Sequence, residues 1–221
     1  MDIEQALGVQ ELRMRALEHT RKAFALLPAL DRPRILDIGC GQGVPTMELA
    51  RLGGGEVVGI DIDETALTRF RQRLEQSDVS DRVTVHRCSL FDSGLIAESF
   101  DVLWEEGVLH LLEPARSFIE CHRLLRPEGF LVMHEKLVWF EAVQQRLPGW
   151  GMVLEDRHLL PWHFWWTDYG APLERRVREF RESHGDAAGS PELTRYANEV
   201  AMIKADPDQF DCGFFILQKR R

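Results

Sequence analysis

Three glycines at alternate positions follow a short apolar segment. The segment reads Ile35-Leu36-Asp37-Ile38-Gly39-Cys40-Gly41-Gln42-Gly43, which is typical of a buried strand that runs into a tight turn and then a helix. Glycine permits the turn and lets a ligand approach the backbone without a Cβ in the way. The amino terminus of the next helix offers unpaired N–H groups and a positive dipole end. The segment therefore predicts a binding site for a nucleotide-like ligand.

An acidic residue closes the next apolar segment, Val57-Val58-Gly59-Ile60-Asp61. Asp61 follows Gly39 by 22 positions, and a carboxylate at this place in a nucleotide-binding sheet accepts hydrogen bonds from the ribose hydroxyls. The alternative is that Asp61 caps the helix that begins near Glu64. The spacing favours the ribose role and leaves the capping role open.

Two classes of cofactor compete for a loop of this kind. A dinucleotide requires Gly-x-Gly-x-x-Gly, whose third glycine would fall where Val44 stands. Here the third glycine is Gly43, and Asp37 stands two positions before Gly39, where it could hold an ammonium group. A ligand with an amino-acid tail suits these residues better than a pyrophosphate does.

Strands and helices alternate around these residues, as they do in crossover units with a mostly parallel sheet. Strands are predicted at Arg34–Ile38, Glu56–Ile60, Arg82–Arg87, Phe100–Trp104, Phe130–His134 and Phe214–Gln218. Helices are predicted over 11–27 and 44–52, around Leu67–Leu74, from Pro114 to before Pro127, and around Leu173–Phe180 and Leu193–Val200. The fold class is therefore α/β: a doubly wound, mostly parallel, seven-stranded Rossmann-like sheet whose sixth strand is left unplaced.

The same residues resemble the class I S-adenosylmethionine-dependent methyltransferases, in the subgroup that methylates small metabolites. Ile35–Gly43 is similar to the first motif of that family, and Val57–Asp63 is similar to the second. Ser99–Trp104 resembles the fourth strand, and Arg123–Gly129 resembles the turn before the fifth. The resemblance covers residues 34–135 and implies in-line methyl transfer from S-adenosylmethionine to a small-molecule acceptor.

The resemblance also implies a set of cofactor-binding residues. They are Asp37, Gly39, Cys40, Gly41, Gly43, Asp61, Ile62, Ser89, Leu90 and Glu106. In this interpretation Asp37 lies near the ammonium of the donor, Asp61 binds the ribose hydroxyls, and Ile62 packs on the adenine. Many relatives have Asp where Ser89 stands, so the adenine contact here falls to the backbone of Leu90. Glu106 faces the methionine end.

One domain is predicted for the whole chain. It comprises an N-terminal helix (1–30), a donor-binding core (31–135), a helical and aromatic cover that forms the acceptor region (136–205) and a closing strand (206–221). Gly185–Ser190 is predicted to be a flexible break between the last two helices.

Methyl transfer from a sulfonium requires alignment of the reactants more than covalent catalysis. A general base matters only where the acceptor must lose a proton. The titratable candidates at the ends of predicted strands, at the edge where such sheets bind ligands, are Glu105, Glu106, His110, His134 and Glu135. His110 is the preferred catalytic candidate and Glu106 the second, while packing within the helix connection is the alternative for His110.

Tryptophans concentrate after the predicted fifth strand. Trp162, His163, Trp165 and Trp166 are predicted to line the acceptor pocket, since aromatic walls suit a cationic methyl donor. The alternative is an apolar cover that shields the sheet. No cysteine pair accompanies the histidines, so no metal site is predicted, although His158 and His163 leave one open.

Composition excludes several classes of partner. The formal net charge is −9 and no basic stripe is present, which argues against nucleic acid. No apolar segment approaches the roughly 20 residues that span a bilayer. We therefore expect a cytoplasmic protein with S-adenosylmethionine as cofactor and no nucleic-acid or membrane partner. A nicotinamide-dependent oxidoreductase, a catalytically inactive donor-binding protein and a protein methyltransferase stay open as alternatives, as does the oligomeric state.

Overall fold

The computed structural model describes residues 3–184 and 190–220. Its α-helices are α1 (Ile3–Ala6), α2 (Val9–Met14), α3 (Leu17–Phe24), α4 (Val44–Gly53), α5 (Glu64–Glu75), α6 (Pro114–Leu124), α7 (Leu137–Val143), α8 (Ala171–His184) and α9 (Pro191–Ala205). Its strands are β1 (Ile35–Ile38), β2 (Val57–Asp61), β3 (Val83–Arg87), β4 (Phe100–Glu106), β5 (Leu125–Lys136), β6 (Met152–Leu159) and β7 (Cys212–Lys219). Short helical turns lie at Leu90–Asp92, Leu109–Leu111, Gln144–Trp150, Trp165–Gly170 and Pro207–Phe210. Apart from Ser190, which caps α9, the predicted break at Gly185–Ser190 lies outside the described residues.

The chain divides into two compact units. The helical unit comprises Met1–Glu18 and Leu160–Cys212, and the sheet unit comprises His19–Leu159 and Gly213–Arg221. Residues 19–159 therefore carry the glycine loop and strands β1 to β6, and residues 160–212 carry the aromatic segment.

The strands of the described residues form one sheet in the order β3-β2-β1-β4-β5-β7-β6. β1 runs parallel to both β2 and β4, β2 runs parallel to β3, and β4 runs parallel to β5. β6 pairs with β7 in the antiparallel direction. This topology confirms the predicted seven-stranded, doubly wound α/β class. The strand order reverses between β1 and β4, the kind of point where doubly wound sheets bind ligands outside the carboxyl ends of their strands.

The strand that sequence reasoning left unplaced is β6. It lies inside the stretch 136–205 that was predicted as a cover, and it occupies one edge of the sheet. Glu155, Asp156 and Arg157 follow one another in this strand, and all three are exposed. An edge strand with three consecutive charged residues lacks the apolar–polar alternation by which a half-buried strand is recognised.

The predicted helix over 11–27 is divided between α2 and α3. The N–H groups of Arg15 and Ala16 donate to the carbonyls of Leu12 and Arg13, three positions back rather than four, at 3.2 and 3.0 Å. Such bonds tighten the last turn and end a helix. A short α1 precedes α2, so the N-terminal segment contains three helices instead of one.

Each unit has an apolar core of its own. In the sheet unit Leu36, Phe118 and Leu131 are fully buried between strands and helices. In the helical unit the faces that α8 and α9 bury include the residues predicted from their spacing, which are Leu173, Val177 and Phe180 on α8 and Leu193, Tyr196 and Val200 on α9. Helical periodicity therefore identified the buried faces of both helices.

The loop between β1 and α4 adopts a conformation that requires glycine. Gly39, Gly41 and Gly43 have φ angles of 72°, 50° and 78°, which lie in the left-handed region. A Cβ on Gly43 would lie 2.1 Å from the ring of Phe70 on α5, and a Cβ on Gly39 would lie 2.2 Å from Cγ2 of Val108. Backbone strain and lack of space therefore both exclude larger residues at Gly39 and Gly43.

We expect Gly43→Ala to lower the free energy of unfolding by about 2–5 kcal/mol, because left-handed strain of about 1–2 kcal/mol adds to about 1–3 kcal/mol of overpacking against Phe70. Gly54→Ala is the matched control, since Gly54 has a similar φ of 65° but no heavy atom within 4 Å of an added Cβ. The control should lose only about 1–2 kcal/mol. Denaturant unfolding measures both, and equal losses would show that Phe70 does not restrict the loop.

Candidate active site

Backbone hydrogen bonds hold the glycine loop to the carboxyl end of β2. The N–H groups of Gly39 and Cys40 donate to the carbonyl of Ile60, at 2.8 and 3.0 Å. The Cys40 side chain is buried, and this burial raises the pKa of its thiol. Cys40 therefore contributes its backbone to the loop and a protonated thiol to the core, without the thiolate that a nucleophile needs.

Asp61 orders the glycine loop, and Asp63 caps helix α5. The Asp61 carboxylate accepts the N–H of Gly41 at 2.8 Å through Oδ2 and the N–H of Asp63 at 2.8 Å through Oδ1. Asp63 Oδ1 accepts from the N–H groups of Thr65 and Ala66, at 2.8 and 3.3 Å, which is N-cap geometry. The capping role left open for Asp61 therefore belongs to Asp63, and the ribose contact of Asp61 stays a prediction.

Asp37 is a buried carboxyl that accepts a hydrogen bond from a side chain of α4. The hydroxyl of Thr46, on the first turn of α4, donates to Asp37 Oδ2 at 2.5 Å. Burial raises the pKa of Asp37 to about 7, the Thr46 hydrogen bond opposes the rise, and the nearby charges of Glu106 and Asp61 add to it. A cation placed beside Asp37 would favour its ionised form, which fits the predicted ammonium contact.

The predicted adenine contacts differ in exposure. The side chain of Ile62, just after β2, is 70% exposed, whereas Leu90 is buried in the core of the sheet unit. Ser89 Oγ accepts the N–H of Phe91 at 3.3 Å and caps the turn that begins at Leu90. The hydroxyl oxygen of Ser89 is therefore used within the protein, and the predicted adenine contact through the backbone of Leu90 stays a prediction.

Glu106 ends β4 and is bound by two neighbours. Its Oε1 accepts the indole N–H of Trp104 at 2.9 Å and the hydroxyl of Thr20 at 2.9 Å. Desolvation raises the pKa of Glu106, while these two hydrogen bonds lower it. The predicted donor-binding and catalytic roles of Glu106 stay predictions.

His110 and Glu135 form a hydrogen-bonded pair at the carboxyl ends of β4 and β5. The His110 imidazole lies with Nδ1 2.9 Å from Glu135 Oε2, and the backbone N–H of His110 donates to Glu135 Oε1 at 2.9 Å. The Glu135 side chain is fully buried, and that of His110 is 28% exposed. Burial raises the pKa of Glu135, and the contacts with His110 oppose this rise. The carboxylate therefore fixes the orientation of the imidazole.

Sequence reasoning named both residues of this pair but missed their pairing. They are 25 positions apart, so neither local spacing nor periodicity connects them. The signal that could have found them is topological, because adjacent parallel strands end at the same edge of a sheet.

A second buried carboxyl supports the turn that carries His110. Glu105 Oε2 accepts the N–H groups of Val108 and Leu109, at 2.9 and 3.3 Å. Its Oε1 is buried without a hydrogen-bond partner among the described residues. Burial and the neighbouring Glu135 raise the pKa of Glu105 well above its usual range. Glu105 thus holds the turn through its hydrogen bonds to these two backbone N–H groups.

The four predicted acceptor residues lie in one segment of the helical unit. Trp162 is 65% exposed, and His163 has a left-handed φ of 58°. The indole N–H of Trp165 donates to Sγ of Cys212 at 3.1 Å, and Trp166 is half-buried. Trp165 is therefore engaged within its own unit, and the acceptor role of the segment stays a prediction.

Comparison with known proteins identifies the domain. Residues 36–133 match a family model described as a methyltransferase domain. The 27-O-demethylrifamycin SV methyltransferase of Amycolatopsis mediterranei (strain S699) is 32% identical over 120 residues, 54% of this chain and 44% of that protein. The ribosomal protein L11 methyltransferase of Pelobacter propionicus (strain DSM 2379 / NBRC 103807 / OttBd1) is 33% identical over 135 residues, 59% of this chain and 43% of that protein. The matched segment thus spans less than half of each of these relatives.

A solved structure shares the fold across nearly the whole chain. The crystal structure of a SAM-dependent methyltransferase from Geobacter sulfurreducens in complex with S-adenosyl-L-homocysteine has a TM-score of 0.71 and covers 92% of this chain and 91% of that one. The two sequences are 21% identical.

These matches show that residues 36–133 are a class I S-adenosylmethionine-dependent methyltransferase domain, with S-adenosylmethionine as its methyl donor. The predicted family and cofactor are confirmed. The residues present fit this donor, because a glycine cradle that side chains would fill stands beside the carboxyls of Asp37 and Asp61. Across residues 3–184 and 190–220, no helix combines the length and the apolar character needed to cross a membrane.

We expect Asp61→Ala to weaken binding of S-adenosylhomocysteine by about 2–3 kcal/mol, the worth of charge-assisted hydrogen bonds to ribose hydroxyls. Asp63→Ala is the matched control: it removes the cap of α5, lowers the free energy of unfolding by about 1 kcal/mol and leaves affinity nearly unchanged. Calorimetry measures affinity, and thermal unfolding measures stability. An Asp61→Ala variant with wild-type affinity would restrict Asp61 to ordering the loop.

The pKa of Asp37 is raised to about 7, and this predicts that the binding of S-adenosylhomocysteine depends on pH. Below pH 7 the Asp37 carboxyl of the free protein is protonated. The ammonium group of a bound ligand would favour the ionised carboxylate, so the proton would be released on binding. Affinity should therefore rise with pH up to about 7, by up to about tenfold per pH unit, and one proton should be released below that pH. Asp37→Asn should bind more weakly at pH 8 and lose this dependence. Calorimetry from pH 5.5 to 8 tests this, and an identical pH profile in both proteins would place the ammonium elsewhere.

Proposed function

We propose that the protein transfers the methyl group of S-adenosylmethionine to an oxygen of a small molecule, and that His110 accepts the proton that this oxygen releases. The observation that carries the proposal is the His110–Glu135 pair at the carboxyl ends of β4 and β5. An unassisted hydroxyl is a weak nucleophile at neutral pH, so an oxygen acceptor gains from a base that removes its proton as the new bond forms.

The hydrogen bonds of His110 select the tautomer that a base requires. Glu135 receives the backbone N–H of His110 through one oxygen and faces the imidazole Nδ1 with the other. A carboxylate there favours the proton on Nδ1, which leaves the Nε2 lone pair free to accept a proton. Nε2 has no hydrogen-bond partner in the described part of the chain, and the imidazole is partly exposed. Glu135 then stabilises the charged imidazolium.

The bound donor supplies an electrophilic methyl group on a positively charged sulfur. The acceptor oxygen forms a bond to the methyl carbon as its proton passes to Nε2 of His110, and the electrons of the broken carbon–sulfur bond stay on sulfur. Glu105 keeps His110 in place through the N–H groups of Val108 and Leu109. The chain's contribution is thus alignment and a correctly oriented base.

A small acceptor is favoured by charge and by one relative. The net charge of −9 disfavours a nucleic-acid acceptor, and the Amycolatopsis relative is named for a 27-O-demethyl compound. The relative named for ribosomal protein L11 supports a protein acceptor as the second candidate. A donor-binding protein without turnover is the third, and turnover distinguishes it from the other two.

The first experiment is a transfer assay with methyl-labelled S-adenosylmethionine against a panel of hydroxylated small molecules, with ribosomal proteins as a parallel set. Label in a small molecule whose product is identified by NMR as a methyl ether supports the proposal, whereas label on nitrogen or carbon would contradict an oxygen acceptor. Label confined to protein would establish the second candidate. S-adenosylhomocysteine binding without transfer to either set would establish the third.

We expect His110→Ala to lower kcat by about 10²–10⁴-fold, the usual contribution of a general base, with unchanged affinity for S-adenosylhomocysteine. Glu135→Gln should lower kcat by a smaller factor, because the amide still accepts a hydrogen bond but stabilises the imidazolium less. His86→Ala, at an exposed histidine on β3, is the control and should keep wild-type turnover. Steady-state kinetics measure all three. Full turnover in His110→Ala would show that the acceptor is not deprotonated by this residue.

A further inference from the structure

His163, Asp208 and Asp211 form a cluster in the helical unit, and none of the three takes part in the proton transfer proposed for His110. One ligand atom from each residue lies within 4.8 Å of the other two. We infer that these three side chains bind a divalent transition-metal ion of the Mn²⁺ or Zn²⁺ class. The proposal departs from the expectation that the chain has no metal site, and the cluster contains His163, one of the two histidines that left a site open.

The distances suit one ion shared by three ligands. His163 Nε2 lies 2.6 Å from Asp208 Oδ1. Metal–nitrogen and metal–oxygen bonds of about 2.0–2.2 Å place neighbouring ligand atoms about 3–4 Å apart, so the pair needs to open by roughly 0.4–1.4 Å when the ion binds. The third ligand, Asp211, lies within the same 4.8 Å limit.

Asp211 supplies a second and independent observation. Its side chain is 6% exposed. Oδ1 accepts the backbone N–H of His163 at 2.7 Å, whereas Oδ2 is buried without a hydrogen-bond partner among the described residues. Leaving a buried carboxylate oxygen unsatisfied is costly, because the group has lost its hydration without replacement. A cation held with His163 and Asp208 would supply the missing partner.

The backbone of His163 adopts an uncommon conformation at the cluster. Its φ of 58° lies in the left-handed region, which costs a residue other than glycine free energy. Strain of this kind persists where surrounding contacts over-determine it. Here the N–H of His163 is held by Asp211 and its imidazole faces Asp208, so both ends of the residue are directed into the cluster.

The types of ligand atom in the cluster determine which class of metal ion it binds. Two carboxylates and one imidazole suit Mn²⁺, which binds carboxylate oxygen, and Zn²⁺, which binds both imidazole nitrogen and carboxylate oxygen, whereas Mg²⁺ and Ca²⁺ prefer all-oxygen sites and softer ions prefer thiolates. Three protein ligands leave positions for water. Because the site joins residue 163 to the turn Pro207–Phe210 and the residue after it, we assign the ion the role of fastening two distant segments of the helical unit.

The test uses the full chain, stripped with EDTA and titrated with Mn²⁺. Wild-type protein should bind one Mn²⁺ by calorimetry and by loss of the free-ion paramagnetic resonance signal, and saturation should raise its Tm by at least about 3 °C. Asp211→Asn and His163→Gln should each weaken Mn²⁺ affinity by at least tenfold. Asp206→Asn is the matched control, since it removes the same charge from an exposed residue of the same turn and should bind like wild type.

If a variant at a buried position fails to fold, Asp208→Asn still tests the site, because the Asp208 side chain is 68% exposed and its replacement should not disturb the fold. It should lose affinity as the buried variants do. Equal affinities in Asp208→Asn, Asp206→Asn and wild type would overturn the proposal and leave only adventitious binding to surface acids. Absence of saturable Mn²⁺ or Zn²⁺ binding to wild-type protein would overturn it as well. Neither readout depends on methyl transfer, so this site and the proposed function can fail separately.

Discussion

The candidate site in the sheet unit depends on one constraint: β1 pairs in parallel with a strand on each of its two sides. β2 lies on one side and β4 on the other, so the carboxyl ends of three strands meet where the strand order reverses. The glycine loop leaves β1 at this edge, Asp61 ends β2, and Glu106 ends β4. A single reversal of strand order therefore collects residues from distant parts of the sequence around the glycine loop.

Several buried acidic side chains lie at the carboxyl edge of the sheet, and each of them has its own hydrogen-bond partner. Thr46 donates to Asp37, two backbone amides donate to Glu105, and His110 contacts Glu135. Burial raises the pKa of each of these carboxyls. An interior rich in carboxyl groups is unfavourable without a partner, but it suits a donor that carries an ammonium group and a positively charged sulfur. Burying these carboxyl groups costs free energy, and a bound cation would offset part of that cost.

The helical unit has a different basis for its stability. Apolar residues of α8 and α9 form its core together with Leu12 and Tyr169, and the hydroxyl of Tyr169 donates to Glu199 at 2.9 Å. The unit also contains the aromatic segment and the proposed metal ligands. Its internal order therefore rests on helix packing and on polar contacts such as this one.

Local sequence by itself determined the fold class, the glycine loop and the buried faces of α8 and α9, because each depends on residues that are neighbours along the chain. Glycine at positions 39, 41 and 43 reports a backbone conformation directly, and apolar spacing reports which side of a helix is buried. The same local signals were insufficient for β6, where three consecutive charged residues at a sheet edge conceal the strand.

Only the tertiary structure decided which residues act together. Asp61 and Asp63 are two positions apart and chemically identical, yet one orders the loop and the other caps α5. His110 meets Glu135 because β4 and β5 are adjacent, and His163 meets Asp208 across 45 positions. Periodicity describes which face of an element a residue occupies, whereas partnership depends on which elements pack together. That packing is decided by burial and hydrogen bonding over the whole chain.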